Sequence, residues 1–199
     1  EMAFRMQASV PELGDLSDES ESTWKLYGPE AKTPGSYAYC CLMARRLAER
    51  GVRNIQIFHR GWDAHNALPK EHESQCQDVD RACAALIKDL RRRGMLDETL
   101  VIWGGEFGRT PFAQGSDGRD HNPFGFSLWL AGGGFKKGLT YGQTDRFGYY
   151  TIDKPLSIYD LWATIQHQLG INHEELTCHF GGRNFRLSDV DSHVIKELV

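Results

Sequence analysis

Several features that would place the chain in a special class of protein are missing from its sequence. No apolar run approaches the roughly 20 residues of a membrane-spanning helix, and no export signal opens the chain. Neither sign of charge dominates, because 23 Lys and Arg stand against 27 Asp and Glu. A surface built to attract nucleic acid or anionic lipid is therefore not expected. These absences favour a soluble globular protein without a membrane span.

The five cysteines do not follow the spacing of a disulfide framework or of a structural zinc site. Cys76 and Cys83 are seven residues apart on a predicted helix, which separates them by about 10 Å along its axis, too far for a bridge. We therefore expect five free thiols. A P-loop and a G-x-S-x-G nucleophile elbow are also absent, so no motif indicates a protein nucleophile.

The composition is that of a globular protein, with 40% hydrophobic and 11% aromatic residues. We predict a single α/β domain over residues 1–199, in which residues 1–35 form an N-terminal helix and a polar, acidic loop from Pro11 to Pro34. Residues 36–199 are expected to form the sheet core. Because the chain starts at Glu1 inside a helical pattern, we expect it to be a fragment of a longer protein.

Helical and strand periodicities alternate along the chain, which is typical of an α/β fold. Runs with apolar residues every three or four positions predict helices at Ser36–Arg50, Pro69–Arg93, Leu156–Leu169 and Asp189–Leu198. Short β-branched and aromatic runs predict buried strands at Asn54–Phe58, Thr99–Trp103 and Phe126–Leu130, and Tyr141–Thr151 is predicted as a hairpin or loop.

The connection from Gly104 to Gly125 has no helical periodicity, whereas a parallel return needs a crossover of a dozen or more residues that is usually helical. We therefore predict that the strand Phe126–Leu130 runs antiparallel to its neighbours. In that arrangement three loops meet at one edge of the sheet. Their sequences are RGWDAH (Arg60–His65), GGEFGRTP (Gly104–Pro111) and GRDHNP (Gly118–Pro123).

These loops carry the candidate metal ligands Asp63, His65, Glu106, Asp120 and His121. Two carboxylates about 5 Å apart repel each other by roughly 3 kcal/mol at an effective dielectric of 20, and a bound divalent cation removes that repulsion. Mixed oxygen and imidazole ligands favour Zn or Mn, with Fe, Mg and Ca as further candidates. The alternative is structural, with each carboxylate capping a helix and each imidazole bonded to a turn.

Two further histidines are candidate ligands with open alternatives. His72 begins the apolar stripe of a predicted helix, so it is either a ligand or a core residue. His59 alternates with Ile55 and Ile57 along a predicted strand, which predicts an inward side chain that either ligates the metal or supports a ligand.

Arg109 and Thr110 are the candidate catalytic residues. Arg109 lies in a glycine-bordered turn, where a guanidinium is suited to bidentate binding of a phosphate or sulfate. Its alternative role is a salt bridge to Asp120 or Glu106. Thr110 offers the nearest hydroxyl, although a Thr before Pro111 is equally well explained as a turn residue.

The three loop sequences, followed by GGGFKKG (Gly132–Gly138) and PLSIYDLWATIQHQLGI (Pro155–Ile171), resemble in this order the bacterial family of unknown function 1501. That family is similar to a branch of the alkaline phosphatase and sulfatase superfamily. The resemblance covers nearly all of the chain. It implies a three-layer α/β sandwich, here partial, with helices on both faces of a mostly parallel sheet that has at least one antiparallel strand.

The resemblance also implies hydrolysis of phosphate or sulfate esters, with a small anionic ester or a sulfated or phosphorylated glycan as substrate. Glu106 stands where the superfamily's D-H-G motif has its Asp, but Phe107 stands at the His position and cannot bind a metal. The nucleophile is expected in a missing N-terminal half, so the fragment itself is expected to be inactive.

Members of the family often carry an export signal ahead of the domain, so the resemblance implies that the intact protein is located outside the cytoplasm. Five free thiols, by contrast, are unusual in an oxidising compartment. The alternative to an enzyme is a non-catalytic module that keeps the fold and binds an anion or a sulfated glycan. The replacement of His by Phe107 motivates that alternative.

Overall fold

A computed structural model describes residues 14–188 and 191–199. The predicted helix at residues 1–10 and the start of the predicted C-terminal helix at Asp189 and Val190 lie outside this range. The chain divides into two compact units. The helical unit extends to Thr99 and includes Gln114–Arg119, and the strand unit comprises Leu100–Ala113 and Asp120–Val199.

The helical unit contains helices α1 (Glu21–Tyr27), α2 (Tyr37–Glu49) and α3 (Leu68–Arg92), with 3-10 turns at Pro29–Lys32 and Leu96–Glu98. The predictions for α2 and α3 are confirmed. The loop prediction over Pro11–Pro34 is wrong where α1 forms. The Ser20 hydroxyl accepts a hydrogen bond from the Thr23 backbone N–H and caps this short helix, and Tyr27 anchors its end in the core.

The core of the helical unit lies between α2 and α3 and includes Tyr27 from α1. Its small residues on α3, Ala82 and Ala85, are almost completely buried and allow the larger Leu42 of α2 to pack close to the α3 backbone. The helical periodicity of the sequence predicted both long helices but not their full buried faces, because the charged Arg45 and Arg46 of α2 are buried whereas Cys76 of α3 is exposed.

The predicted strand at Asn54–Phe58 is wrong, because these residues pair with no described strand. Their side chains do alternate, with Ile55 and Ile57 half-buried and Phe58 exposed. The sequence pattern of apolar residues is enough to predict this alternating burial of side chains. A strand also requires a neighbouring strand that pairs with its backbone N–H and C=O groups. Ile57 packs against the helical core instead.

The strand unit is built from short antiparallel pairs of strands. Its described residues form β1 (Val101–Trp103), β2 (Gly108–Arg109), β3 (His121–Asn122), β4 (Trp129–Ala131), β5 (Gln143–Thr144), β6 (Thr151–Asp153), α4 (Ile158–Gln168), β7 (Thr177–Phe180) and β8 (Arg183–Arg186). The pairs are β1 with β4, β2 with β3, β5 with β6, and β7 with β8. The described residues thus contain helices and small antiparallel sheets, and no parallel ladder occurs among them.

Two predictions for this unit are confirmed. β4 runs antiparallel to β1, with Ile102 opposite Leu130. The predicted hairpin at Tyr141–Thr151 corresponds to the β5 and β6 pair. The antiparallel direction was predictable because the connection between β1 and β4 lacks a crossover helix.

Helix α4 also confirms its prediction, and the Ser157 and Asp160 side chains form a reciprocal capping box at its start. The predicted helix over residues 191–198 is wrong. The backbone N–H of His193 donates to the Asp160 carboxylate, and that of Ile195 donates to the Thr164 hydroxyl. These donors are satisfied by side chains of α4, so this segment needs no helix of its own.

Within the described ranges, no helix is at once long and apolar enough to cross a bilayer.

Candidate metal-binding site and its loops

In the helical unit, two of the predicted ligands lie in direct contact. Asp63 Oδ1 is 3.0 Å from His65 Nε2, and the two side chains are 67% and 34% exposed. Both residues belong to the loop between Val52 and α3. Their D-x-H spacing brings a carboxylate and an imidazole together without any regular secondary structure.

The other imidazole nitrogen of His65 faces an amide oxygen. His65 Nδ1 lies 2.5 Å from Gln114 Oε1, which can only accept, so the Nδ1–H donates. In a neutral ring, Nε2 then presents its lone pair to the Asp63 carboxylate, and two acceptors face each other. The contact between His65 Nε2 and Asp63 is favourable when Nε2 carries a proton or when both atoms bind one cation.

This arrangement fits a divalent metal. A metal-binding histidine commonly donates its second ring N–H to an acceptor, which fixes the tautomer and the orientation of the ring. Gln114 Oε1 is placed to accept such a bond from His65. A separation of 3.0 Å also suits two ligands of one ion, since each lies about 2 Å from the ion.

A tight turn at Gln114–Gly118 holds the Asp63 loop in place. The Arg119 backbone N–H donates to the Ala64 carbonyl, and the Ala67 N–H donates to the Asp117 carboxylate. A Cβ on Gly118 would overlap the carbonyl oxygen of His65, so only glycine permits this close approach. The turn thus sets the position of the His65 backbone.

In the strand unit, β2 and β3 bring four predicted residues together. Arg109 is directly opposite His121 in the ladder. The Thr110 backbone N–H donates to the Asp120 carbonyl, and the Asp120 N–H donates to the Thr110 hydroxyl oxygen. Gly108 is needed beside them, because a Cβ there would lie 2.5 Å from the Gly125 carbonyl oxygen.

Phe107 supports a predicted ligand, although it cannot bind a metal itself. Its ring centroid is 4.5 Å from that of His121, and the two rings are tilted by 38°. The His121 side chain is exposed, and Asn122 beside it is fully buried. The Asn122 amide donates to the Tyr149 carbonyl and accepts from the Phe124 N–H, which fixes the backbone next to His121.

The two predicted catalytic residues have different surroundings. Arg109 is half-buried, whereas Thr110 is only 6% exposed. The Thr110 hydroxyl donates to the Phe112 carbonyl 2.9 Å away, so it stabilises the turn after β2. Glu106 is exposed in the preceding turn, and the Asp120 carboxylate accepts from the His121 N–H. Their catalytic and ligand roles stay predictions.

His59 and His72 surround an indole ring in the helical unit. Trp62 Nε1 donates to His59 Nδ1 over 2.9 Å, and His59 Nε2 lies 3.5 Å from Asp78. Both nitrogens of His59 thus already have protein partners. The His72 ring packs edge-on against Trp62, and its buried Nδ1 bonds to no described residue. These contacts resemble packing more than a ligand set.

Sequence reasoning missed Gln114 and the packing role of Phe107. Gln114 is 49 residues from His65, and nothing in its own neighbourhood distinguishes it from other polar turn residues. The sequence identifies Phe107 only as a residue that cannot bind a metal. Metal-binding histidines commonly have a second contact that orients the ring, and this rule is the signal that points to Gln114 and Phe107.

The fold and the two groups of loop residues define a mixed helix-and-strand protein with carboxylate and imidazole side chains on glycine-rich loops. The family model described as "Protein of unknown function (DUF1501)" matches residues 1–199. The chain belongs to this family, as its loop sequences predicted. No curated protein and no solved structure matches the chain.

Proposed function

We propose that the chain is the C-terminal part of a metal-dependent hydrolase of phosphate or sulfate esters. The observation that carries the proposal is the contact between Asp63 and His65, together with the bond from His65 to Gln114. We propose Asp63, His65, Glu106, Asp120 and His121 as the residues that bind a divalent ion, with Zn or Mn preferred. His59 and His72 are assigned supporting positions.

The chemistry of the proposal follows from general properties of such sites. A divalent ion supplies an activated water and polarises an ester oxygen. Arg109 is half-buried and would bind the anionic oxygens of the ester. Thr110 would contribute by fixing the turn that carries Arg109, because its hydroxyl is bonded to Phe112 and Asp120. The substrate is a small anionic ester or a sulfated or phosphorylated glycan.

The wider part of the proposal rests on the resemblance described above. We propose on this basis that the protein is related to the alkaline phosphatase and sulfatase superfamily and has a three-layer sandwich fold with a mostly parallel sheet. The proposal also includes an N-terminal half that supplies the nucleophile, and a location outside the cytoplasm. On this proposal the chain by itself binds metal but has little or no hydrolytic activity.

Metal titration of this chain tests the proposal. Calorimetry with Zn²⁺ and Mn²⁺ should show binding that Asp63→Asn and His65→Ala each weaken by at least about tenfold. His167→Ala is the matched control, because His167 is exposed on α4 and outside the candidate ligands. Unchanged affinity in both ligand variants contradicts the proposed site. Hydrolysis is then assayed with aryl phosphate and aryl sulfate, using a longer form that carries the N-terminal half.

A second candidate function is a non-catalytic module that binds an anion or a sulfated glycan. The packing of Phe107 against His121 favours it, because the aromatic ring occupies space beside a candidate ligand. The longer form would then bind sulfate or phosphate without any turnover of either ester. Turnover that is lost in Asp63→Asn would instead support the hydrolase.

A further inference from the structure

The β7 and β8 pair forms a ribbon that no other described strand extends. Its two-residue turn consists of Gly181 and Gly182, whose φ values of 58° and 80° suit the tight connection of a twisted hairpin. All eight strand residues are exposed. An isolated two-stranded hairpin is marginally stable in water, so a surface that covers the ribbon would stabilise it.

One face of the ribbon is aromatic and basic. Cys178 is opposite Phe185 and Phe180 is opposite Arg183, which places these four side chains on the same face. Phe180 is 75% exposed and Phe185 is 39% exposed. The guanidinium carbon of Arg183 lies 4.3 Å from the centroid of the Phe185 ring, so the cation is held over the aromatic surface.

The charge of the ribbon differs from that of the chain as a whole. Residues 176–188 contain Arg183 and Arg186 but no Asp or Glu, whereas the whole chain has a net charge of -4. Arg183 lies on the aromatic face, whereas Arg186 is opposite Thr177 and lies on the other face. A partner of the aromatic face should provide a carboxylate for Arg183 next to apolar side chains.

The two edges of the ribbon also differ. Both arginines belong to β8, and charged side chains on an edge strand discourage the addition of a further strand. β7 has the sequence Thr-Cys-His-Phe, without a formally charged Lys, Arg, Asp or Glu. Its outer edge therefore offers backbone N–H and C=O groups to an extended peptide.

We propose that the ribbon is a docking surface for an acidic, extended segment of a partner polypeptide, bound along β7 and over the face formed by Cys178, Phe180, Arg183 and Phe185. Apolar side chains of that segment contact Phe180 and Phe185, and a carboxylate pairs with Arg183. Nucleic acid and anionic membranes fit less well, because two cations on an acidic chain neutralise few phosphates.

Fluorescence anisotropy with the whole chain tests this docking surface. The probe is a labelled peptide of about ten residues in which Glu alternates with Val, and a peptide with Lys in place of Glu is its counterpart. The acidic peptide should bind better, and added salt should weaken its binding. Phe180→Ala and Arg183→Glu should each reduce the affinity by about tenfold or more. Phe58→Ala is the matched control, because Phe58 is 86% exposed in the helical unit.

Circular dichroism and the amide NMR spectrum establish that each variant keeps its fold. Absence of acidic-peptide binding, or binding that both ribbon variants leave unchanged, overturns the proposal. Preferential binding of a single-stranded DNA oligonucleotide or of phosphatidylserine vesicles through the same two residues also overturns it. None of these readouts depends on metal binding or on hydrolysis, so the outcome is independent of the proposed function.

Discussion

Arg45 and Glu19 form an ion pair inside the helical unit, with 2.6 Å between Arg45 Nη2 and Glu19 Oε2. The side chains are 2% and 4% exposed. Arg45 also contacts Glu49 at 2.6 Å and Asp89 at 3.0 Å, and thereby joins α2 to α3. Burial by itself would raise the pKa of Glu19, but hydrogen bonds from Arg45 and Arg46 lower it below its usual value.

We expect Arg45→Met to destabilise the helical unit by about 1.5–3 kcal/mol, because Glu19 and Asp89 lose a buried cationic partner and keep only Arg46 and Arg93. Urea unfolding followed by far-UV circular dichroism measures the change. Arg53→Met is the matched control, since Arg53 is exposed, and its unfolding midpoint should barely move. A midpoint for Arg45→Met equal to that of the control would show that the buried network contributes little.

Acid should open the turn between β5 and β6. The Asp145 carboxylate accepts backbone N–H bonds from Tyr149, Tyr150 and Phe147, and these bonds lower the pKa of Asp145 from its usual value of 3.8. Because the folded-state pKa is depressed, the stabilisation is present above the unfolded pKa and disappears as the pH falls through the folded one.

Hydrogen exchange of the Tyr149 and Tyr150 amides is measured by NMR at decreasing pH and corrected for intrinsic exchange rates. Both amides should lose their protection from exchange as the pH falls below the usual pKa of Asp145. Asp145→Asn should remove this dependence on pH, because the amide does not titrate in this range. Equal pH profiles in the two proteins would assign the acid effect to another group.

The thiols should differ in reactivity according to burial. Cys41 is fully buried, and burial raises its pKa to about 12, whereas Cys76 and Cys178 are exposed. Near pH 8, a disulfide reagent such as dithionitrobenzoate should modify Cys76 and Cys178 first, because the thiolate is the reactive form. Cys41 should react only when the helical unit unfolds.

Peptide mapping by mass spectrometry identifies the modified residues at each time. Cys76→Ser combined with Cys178→Ser should abolish the fast phase, apart from any contribution of the half-buried Cys40 and Cys83. Modification of Cys41 during that phase would mean that the core between α2 and α3 opens far more readily than its packing indicates.

Gly118→Ala should disturb the candidate site from outside it. The new methyl group would overlap the His65 carbonyl oxygen and lie 2.8 Å from the Asn66 nitrogen, so the loop must move. We expect the bond between His65 and Gln114 to break and metal affinity to fall by about tenfold. The imidazole NMR shifts of His65 report the change even without metal.

Gly14→Ala is the control for this variant, because a Cβ on Gly14 meets no atom of a described residue within 4 Å. It should leave both the imidazole shifts and the metal titration unchanged. If Gly118→Ala behaves in the same way, the turn does not position His65.

The accuracy of the sequence predictions depended on how local the determining contacts were. Helices α2 and α3 were predictable because their apolar residues recur within a few positions of one another. Asn54–Phe58 has the composition of a strand, but its pairing depended on segments elsewhere in the chain. The helix predicted after Ser192 does not form, because its backbone N–H groups donate to side chains of α4 that are distant in the sequence.

For the candidate site, the sequence determined the chemical types of the side chains and the loops that carry them. Asp63 and His65 were identified from their spacing and from the glycine-rich loops around them. Only the tertiary structure decided that Gln114 faces one imidazole nitrogen while Asp63 faces the other. The physical reason is distance along the chain, since periodicity and capping act within about four residues, whereas the orientation of an imidazole depends on contacts 49 residues away.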